Sequence, residues 1–175
     1  MTKIIILIAI SMVLVNCSGD QPSNSHKLYG PFMSIDPSED VQILGPNIIA
    51  SALEEYNGTF SPDGDEFFYT SVVAGKGVIC STSLQDDNSW TEANVAGFSG
   101  KYSEYDPLFS PDGKRLYFSS ERPLDSTEAG GETNILFIEK MDEEWTDPQL
   151  VELEGNGDYF SSITEKGDIY YNVWN

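Results

Sequence analysis

An all-β fold is predicted by three observations on this 175-residue sequence. A turn signal, Ser-Pro-Asp-Gly, stands at Ser61–Gly64 and again at Ser110–Gly113, each time followed by an aromatic or aliphatic run, Phe67-Phe-Tyr69 and Leu116-Tyr-Phe118. The surrounding sequence repeats without a gap: Glu55–Ser71 lines up with Glu104–Ser120, from position 55 to 104, an offset of 49. No segment after the first sixteen residues carries a long helical period. Together these give units of roughly fifty residues holding four short antiparallel strands, the pattern of β-propeller blades.

The elements of a unit follow in order. The turn is chemically specified: proline presets φ, aspartate bonds nearby backbone, and glycine accepts positive φ. The aromatic run beyond it has strand composition. A third strand is predicted at Val78-Ile-Cys-Ser81 and at Ile135-Leu-Phe-Ile138. A second landmark, Ser89-Trp-Thr-Glu-Ala-Asn-Val95, recurs as Glu144-Trp-Thr-Asp-Pro-Gln-Leu150 and is assigned the fourth strand. A third, weaker copy runs from Asp158 to Gly167 and on through Ile169-Tyr-Tyr171, with Thr164-Glu-Lys-Gly167 in place of Ser-Pro-Asp-Gly and one residue deleted after it. The expected organisation is a signal peptide over 1–16, a flexible tether over 17–35, and a partial propeller over 36–175 with units near 55–95, 104–151 and 158–175. With two full units and partial ones at each end, we expect an incomplete propeller, the fragment of a longer one, since closure usually takes at least about four blades.

The first residues read as an export signal. Lys3 gives a positive start, and Ile4–Val15 is apolar except for Ser11, too short for a comfortable membrane span but right for a signal helix. Leu14-Val-Asn-Cys17 resembles a bacterial lipobox, and the resemblance implies that Cys17 carries lipid and begins the mature chain. Ser18–Ser25 is polar and without periodicity, as a tether would be. The other cysteine, Cys80, lies in an apolar run and is expected to be a buried, inert thiol.

Charge restricts the partners. With 29 acidic and 9 basic residues the formal net charge is -20, which repels nucleic acid and anionic lipid. The membrane is then reached only through the lipid on Cys17. Aromatic residues, 12% of the chain, are interleaved with the acids, so most of it is expected to fold. His26, the one histidine, lies in the tether, leaving no Ser-His-Asp or Cys-His arrangement for the folded part, and no cluster has zinc or calcium spacing. No cofactor is expected.

The repeats resemble the WD40-like repeats of the TolB type, whose core motif is a Ser-Pro-Asp-Gly turn followed by an apolar triplet. Phe98–Gly113, together with Ser119-Ser-Glu-Arg-Pro123, resembles bacterial lipoproteins bearing such propellers. The resemblance covers about Val41 to the end. It implies a lipid-anchored module of the bacterial outer membrane, periplasmic or surface-facing, that binds an envelope protein or an extracellular glycan. Candidate ligand contacts sit on the first strand of each unit, which in a propeller lies nearest the central channel: Glu55, Glu104 and Asp158 occupy one repeat position, followed by Tyr56, Tyr105 and Tyr159. Carboxylates beside aromatic faces suit a cation, an amine or a sugar, while packing between units explains the same repetition. Arg122, at the start of the long loop Glu121–Thr133, is a further candidate for an anion or carboxylate. A carbohydrate-active enzyme is the alternative, with Glu104, Asp106 and Arg122 converging at the channel mouth; a fragment without independent function is another.

Overall fold

The computed structural model describes residues 43–46, 48–124, 131–142, 144–153 and 158–173. The predicted signal peptide, Cys17, the tether and part of the long loop after Arg122 lie outside them. The described residues form antiparallel sheets and no helix. The first sheet joins β1 (Glu54–Phe60), β2 (Glu66–Val73), β3 (Lys76–Ser83) and β4 (Asn94–Val95) in that order. The second joins β5 (Glu104–Phe109), β6 (Arg115–Ser120) and β7 (Asn134–Met141), with β8 (Glu144–Trp145) and β9 (Gln149–Leu150) both paired to β7. β10 (Asp158–Ile163) and β11 (Ile169–Val173) make the third.

The turns show why two different sequences do one job. In Ser61–Gly64 and Ser110–Gly113 the glycine N–H donates to the serine carbonyl at 2.9 Å, and the Thr164–Gly167 turn closes at the same distance. All three glycines have positive φ, 80°, 70° and 89°, where a side chain would be strained. The hydroxyl of the first residue accepts the N–H that restarts the strand: Glu66 N–H to Ser61, Arg115 N–H to Ser110, both 2.9 Å, and Asp168 N–H to Thr164, 3.1 Å. Threonine supplies the same hydroxyl as serine, so Thr-Glu-Lys-Gly makes the turn without proline or aspartate. The third turn reaches its acceptor one residue sooner, which places the deletion after Gly167.

The Ser110 hydroxyl also donates to Asp112 at 2.6 Å, and the Lys114 N–H donates to the same carboxylate at 3.1 Å. These bonds, the serine's foremost, hold the Asp112 carboxyl below the usual aspartate range. A depressed folded-state pKa stabilises above the unfolded pKa and is lost as pH falls through the folded one. The stability gap between wild type and Asp112→Asn is therefore expected to be present at neutral pH and to close below about pH 4, read as urea midpoints across an acid titration.

The fourth strand lies in the predicted Trp segments but is interrupted within them. Trp90 makes only an isolated bridge to Leu84, and the outer pairing passes to β4, where Asn94 and Val95 meet Ser81 and Cys80. Likewise Trp145 ends the two-residue β8, and the outer pairing resumes at β9. The cause is the threonine after each tryptophan. The Ser83 N–H donates to the Thr91 hydroxyl and the Glu139 N–H to the Thr146 hydroxyl, both at 3.0 Å. A side chain thus takes the place of a strand carbonyl, and Pro148 gives no N–H with which to continue.

Alternate residues of each second strand face opposite neighbours. Leu116 and Phe118 pack with Phe68 and Ile79 of the first sheet, whereas Tyr117 packs with Ile169 and Tyr171 of the third. In the first sheet Phe67 and Tyr69 turn the other way and are covered by Leu44, Ile48 and Ile49. Burial of one such side chain contributes ~1.5–3 kcal/mol. Polar bonds tie the first two sheets as well: the Asp106 N–H donates to Thr70 Oγ1 at 3.0 Å, and Lys140 pairs with Glu66 at 2.8 Å. Gly77 permits the close approach of β3 to β5, since a Cβ there would stand 2.1 Å from the Tyr105 ring and 2.9 Å from the Glu104 carbonyl oxygen.

Cys80 is buried and unoxidised, and burial foremost pushes its thiol pKa up, away from the reactive thiolate. In a full-length Cys17→Ser chain, Cys80 is expected to resist a disulfide reagent until denaturant is added, as followed by thiol release. Fast reaction of the native chain would contradict this placement.

Candidate functional site

In the first two units the acid and the tyrosine of the repeated pair keep separate partners. Glu104 points toward the first sheet and is fully buried. One of its oxygens accepts from the Ser99 hydroxyl at 2.5 Å and the Gly100 N–H at 3.1 Å. The other pairs with the Arg122 guanidinium. Arg122, 16% exposed, also donates to the Phe98 carbonyl at 3.0 Å and to Ser120 Oγ at 3.2 Å, and its guanidinium lies 5.8 Å from the Phe118 ring centre. The Ser99 hydroxyl accepts the Ile79 N–H at 2.9 Å, linking the cluster to the first sheet. Every charge in this cluster has a partner within the protein, so it works as a clasp between two sheets and the segment joining them.

Glu55 occupies the same repeat position but not the same environment. Val73 stands where the second unit has Arg122, and Glu55 is only half-buried, bonded by the Ser51 hydroxyl. Asp158 opens β10, where its backbone alone is described.

The tyrosines form a row. Burial foremost, then Asp106 and Tyr105, push the Tyr56 phenol pKa up, and burial foremost, with Glu121 and Tyr159 among the other causes, does the same for Tyr105. Tyr56, Tyr105 and Tyr159 are thus neighbours along the first strands of three sheets. Tyr105 also reaches Glu121 at 3.3 Å, and Tyr159 is 38% exposed. Asp106 sits beside this row in a left-handed bulge with φ of 56°, its carboxylate accepting from Asn57, which holds the matching bulge of the first sheet with φ of 49°. Asn and Asp are the residues that tolerate such a conformation best after glycine. Glu104 therefore pairs with Arg122, while Asp106 pairs with Asn57 and lies near Tyr56.

Ser99, Gly100, Ser120 and Thr70 were not singled out from the sequence. The first three lie in the stretches Phe98–Gly113 and Ser119–Pro123 that carry the family resemblance, and that shared location was the available signal.

Two clefts open between the first and second sheets. One, of about 500 Å³, lies between the Ser61–Glu66 and Ser110–Lys114 turns and is lined by Asp63, Asp65, Asp112 and Asp142 with Lys114 and Lys140. Among the described residues no group of three or more His, Cys, Asp or Glu side chains is arranged to hold a metal ion. The other, of about 350 Å³, lies at the far edge of the sheets between Ser81, Ser83, Gly97 and Trp145.

The described residues define a class, an array of repeat-related antiparallel sheets stacked face to face. Among solved structures the chain is similar to TolB from Acinetobacter baumannii, at 20% sequence identity and a TM-score of 0.45, over 63% of this chain and 24% of that one. The chain thus spans about a quarter of the length of that protein. No family model and no curated protein matches it.

Proposed function

We propose that this chain forms blades of a β-propeller held at the bacterial envelope by lipid on Cys17, and that it serves there as a binding module for an envelope protein. The observation that carries the reading is the face-to-face stacking of repeat-equivalent sheets, Leu116 and Phe118 onto Phe68, then Ile169 and Tyr171 onto Tyr117. Blades of a propeller pack in this way and bring their first strands to one side. That side carries the row Tyr56, Tyr105 and Tyr159 with Asp106 beside it. Tyrosines contribute large, stiff contact area and a polar tip, the combination enriched at the centre of protein interfaces. The apolar stretch before Cys17 and the polar residues after it supply the anchor and the reach.

The test is photocrosslinking in cells from the full-length chain. A crosslinker at Tyr56 or Tyr159 is expected to capture the same envelope protein, and one at the exposed Lys166 turn is expected not to. Cys17→Ser is expected to move the chain from the membrane fraction to the soluble one. Absence of a common product from the two tyrosine positions would overturn the binding surface, and an unchanged membrane fraction would overturn the anchor.

A further inference from the structure

We infer that the cleft of about 350 Å³ at the far edge of the first two sheets is a binding site for a neutral saccharide. It uses none of the tyrosine row and goes beyond the protein-binding reading.

The first observation is an asymmetry between equivalent positions. Trp90 and Trp145 begin the same Trp-Thr motif and face the same way, toward the preceding part of the chain. Trp90 is 3% exposed in a core with Ile49, whereas Trp145 is only partly buried and lines the cleft. The room beside Trp145 exists because Ala96 and Gly97 stand there. Gly97 has no packing reason to be glycine, since a Cβ on it would meet nothing within 4 Å, and its φ is not in the positive range that demands one. The space is open, next to an aromatic side chain that its counterpart hides.

The second observation is the chemistry of the walls. Phe68 and Trp145, ring centres 6.2 Å apart and edge to face, give an apolar floor. Ser81 and Ser83 lie two residues apart on β3, on one face of it, and line the cleft with the exposed Asp147. Among the described residues no hydrogen bond is made by either serine hydroxyl or by the Asp147 carboxylate. An aromatic floor beside hydroxyl and carboxylate groups that bond no other protein group matches a molecule with an apolar C–H face and a rim of hydroxyls, which is a pyranose ring.

The third observation is charge. Glu66, at the cleft margin, is neutralised by Lys140 at 2.8 Å. The same ammonium lies 5.6 Å from the Trp145 ring centre, so the cation site on that ring is filled by the protein's own lysine. A cationic ligand would have to displace it, and an anion would meet Asp147 and a chain of net charge -20. A neutral ligand meets neither obstacle.

The experiment titrates the full-length Cys17→Ser chain with β-1,4-linked trisaccharides of glucose, N-acetylglucosamine and xylose. The indole N–H signal of Trp145, assigned from Trp145→Phe, reports binding. A saturable shift of that signal by at least one sugar is expected, with the Trp90 signal unmoved. Gly97→Val, which narrows the cleft without removing a core side chain, is expected to weaken the binding at least tenfold with the unfolding midpoint kept. Ser81→Ala combined with Ser83→Ala is expected to weaken binding at least tenfold. The inference is overturned if none of the three sugars moves the signal, or if binding survives Gly97→Val undiminished. Photocrosslinking from Tyr159 separates the two proposals: products that persist while the sugars fail sink only the saccharide site, and the reverse pattern sinks only the protein surface.

Discussion

Glu104→Ala is expected to destabilise the folded chain by about 3–5 kcal/mol, the cost of leaving a buried charge without its partner. The Arg122 guanidinium would keep the Phe98 carbonyl and Ser120 but lose its counter-ion, while the Ser99 hydroxyl and Gly100 N–H would lose their acceptor. Glu104→Gln keeps an oxygen for one side of the cluster and is expected to cost less. Glu104→Leu combined with Arg122→Met is expected to cost less than Glu104→Ala alone, because an apolar pair leaves no orphaned charge. Glu55→Ala serves as the internal control. It changes the same repeat position, half-buried and with Val73 in place of an arginine, and should cost less than about 1 kcal/mol. Urea unfolding of the four variants measures all of this. Equal costs at Glu104 and Glu55 would show that the clasp carries no stability.

Phe118→Ala is expected to cost a similar ~3–5 kcal/mol, through lost transfer energy and the cavity left behind. Phe118 is fully buried between the first two sheets, tilted against Phe98 at 5.0 Å between ring centres. Because the Arg122 guanidinium also lies over its ring, Phe118→Ala and Arg122→Ala should not add. The contrast is Tyr170→Ala on β11, 61% exposed, expected to change stability by no more than ~0.5 kcal/mol. Thermal or urea midpoints decide, and a large effect at Tyr170 would mean that its face is covered in solution.

Much of the fold was legible because it is written in local chemistry. The turns rest on proline, aspartate and glycine at fixed offsets, and the alternation of Phe67, Phe68 and Tyr69 between two faces follows from strand geometry alone. The Thr164 turn was legible too, once its hydroxyl was seen to replace that of Ser61 and Ser110. The fourth strand was legible in its segment, but its break was not, because a threonine hydroxyl standing in for a backbone carbonyl leaves no trace in hydrophobic periodicity. Glu104 was harder. Repetition with Glu55 suggested one shared role, yet what fixes the role of Glu104 is Arg122, eighteen residues on, where the first unit has Val73. A repeat alignment shows equal positions, not the unequal partners that decide burial. The 350 Å³ cleft was invisible for a related reason, since it depends on the small side of Ala96 and Gly97 facing a tryptophan from another unit.

The alternation of Tyr117 with Leu116 and Phe118 has a consequence for how damage spreads. Each sheet touches its neighbours through separate sets of side chains, one set per face, so contacts form a chain of nearest-neighbour couplings rather than a shared centre. The middle sheet has a sheet on either side and is coupled to both. A lesion on the Phe118 face weakens its grip on the first sheet and leaves the Tyr117 face in place for the third. Loosening at one end of the array therefore reaches the other through the middle sheet, in which β6 carries apolar contacts to both neighbours.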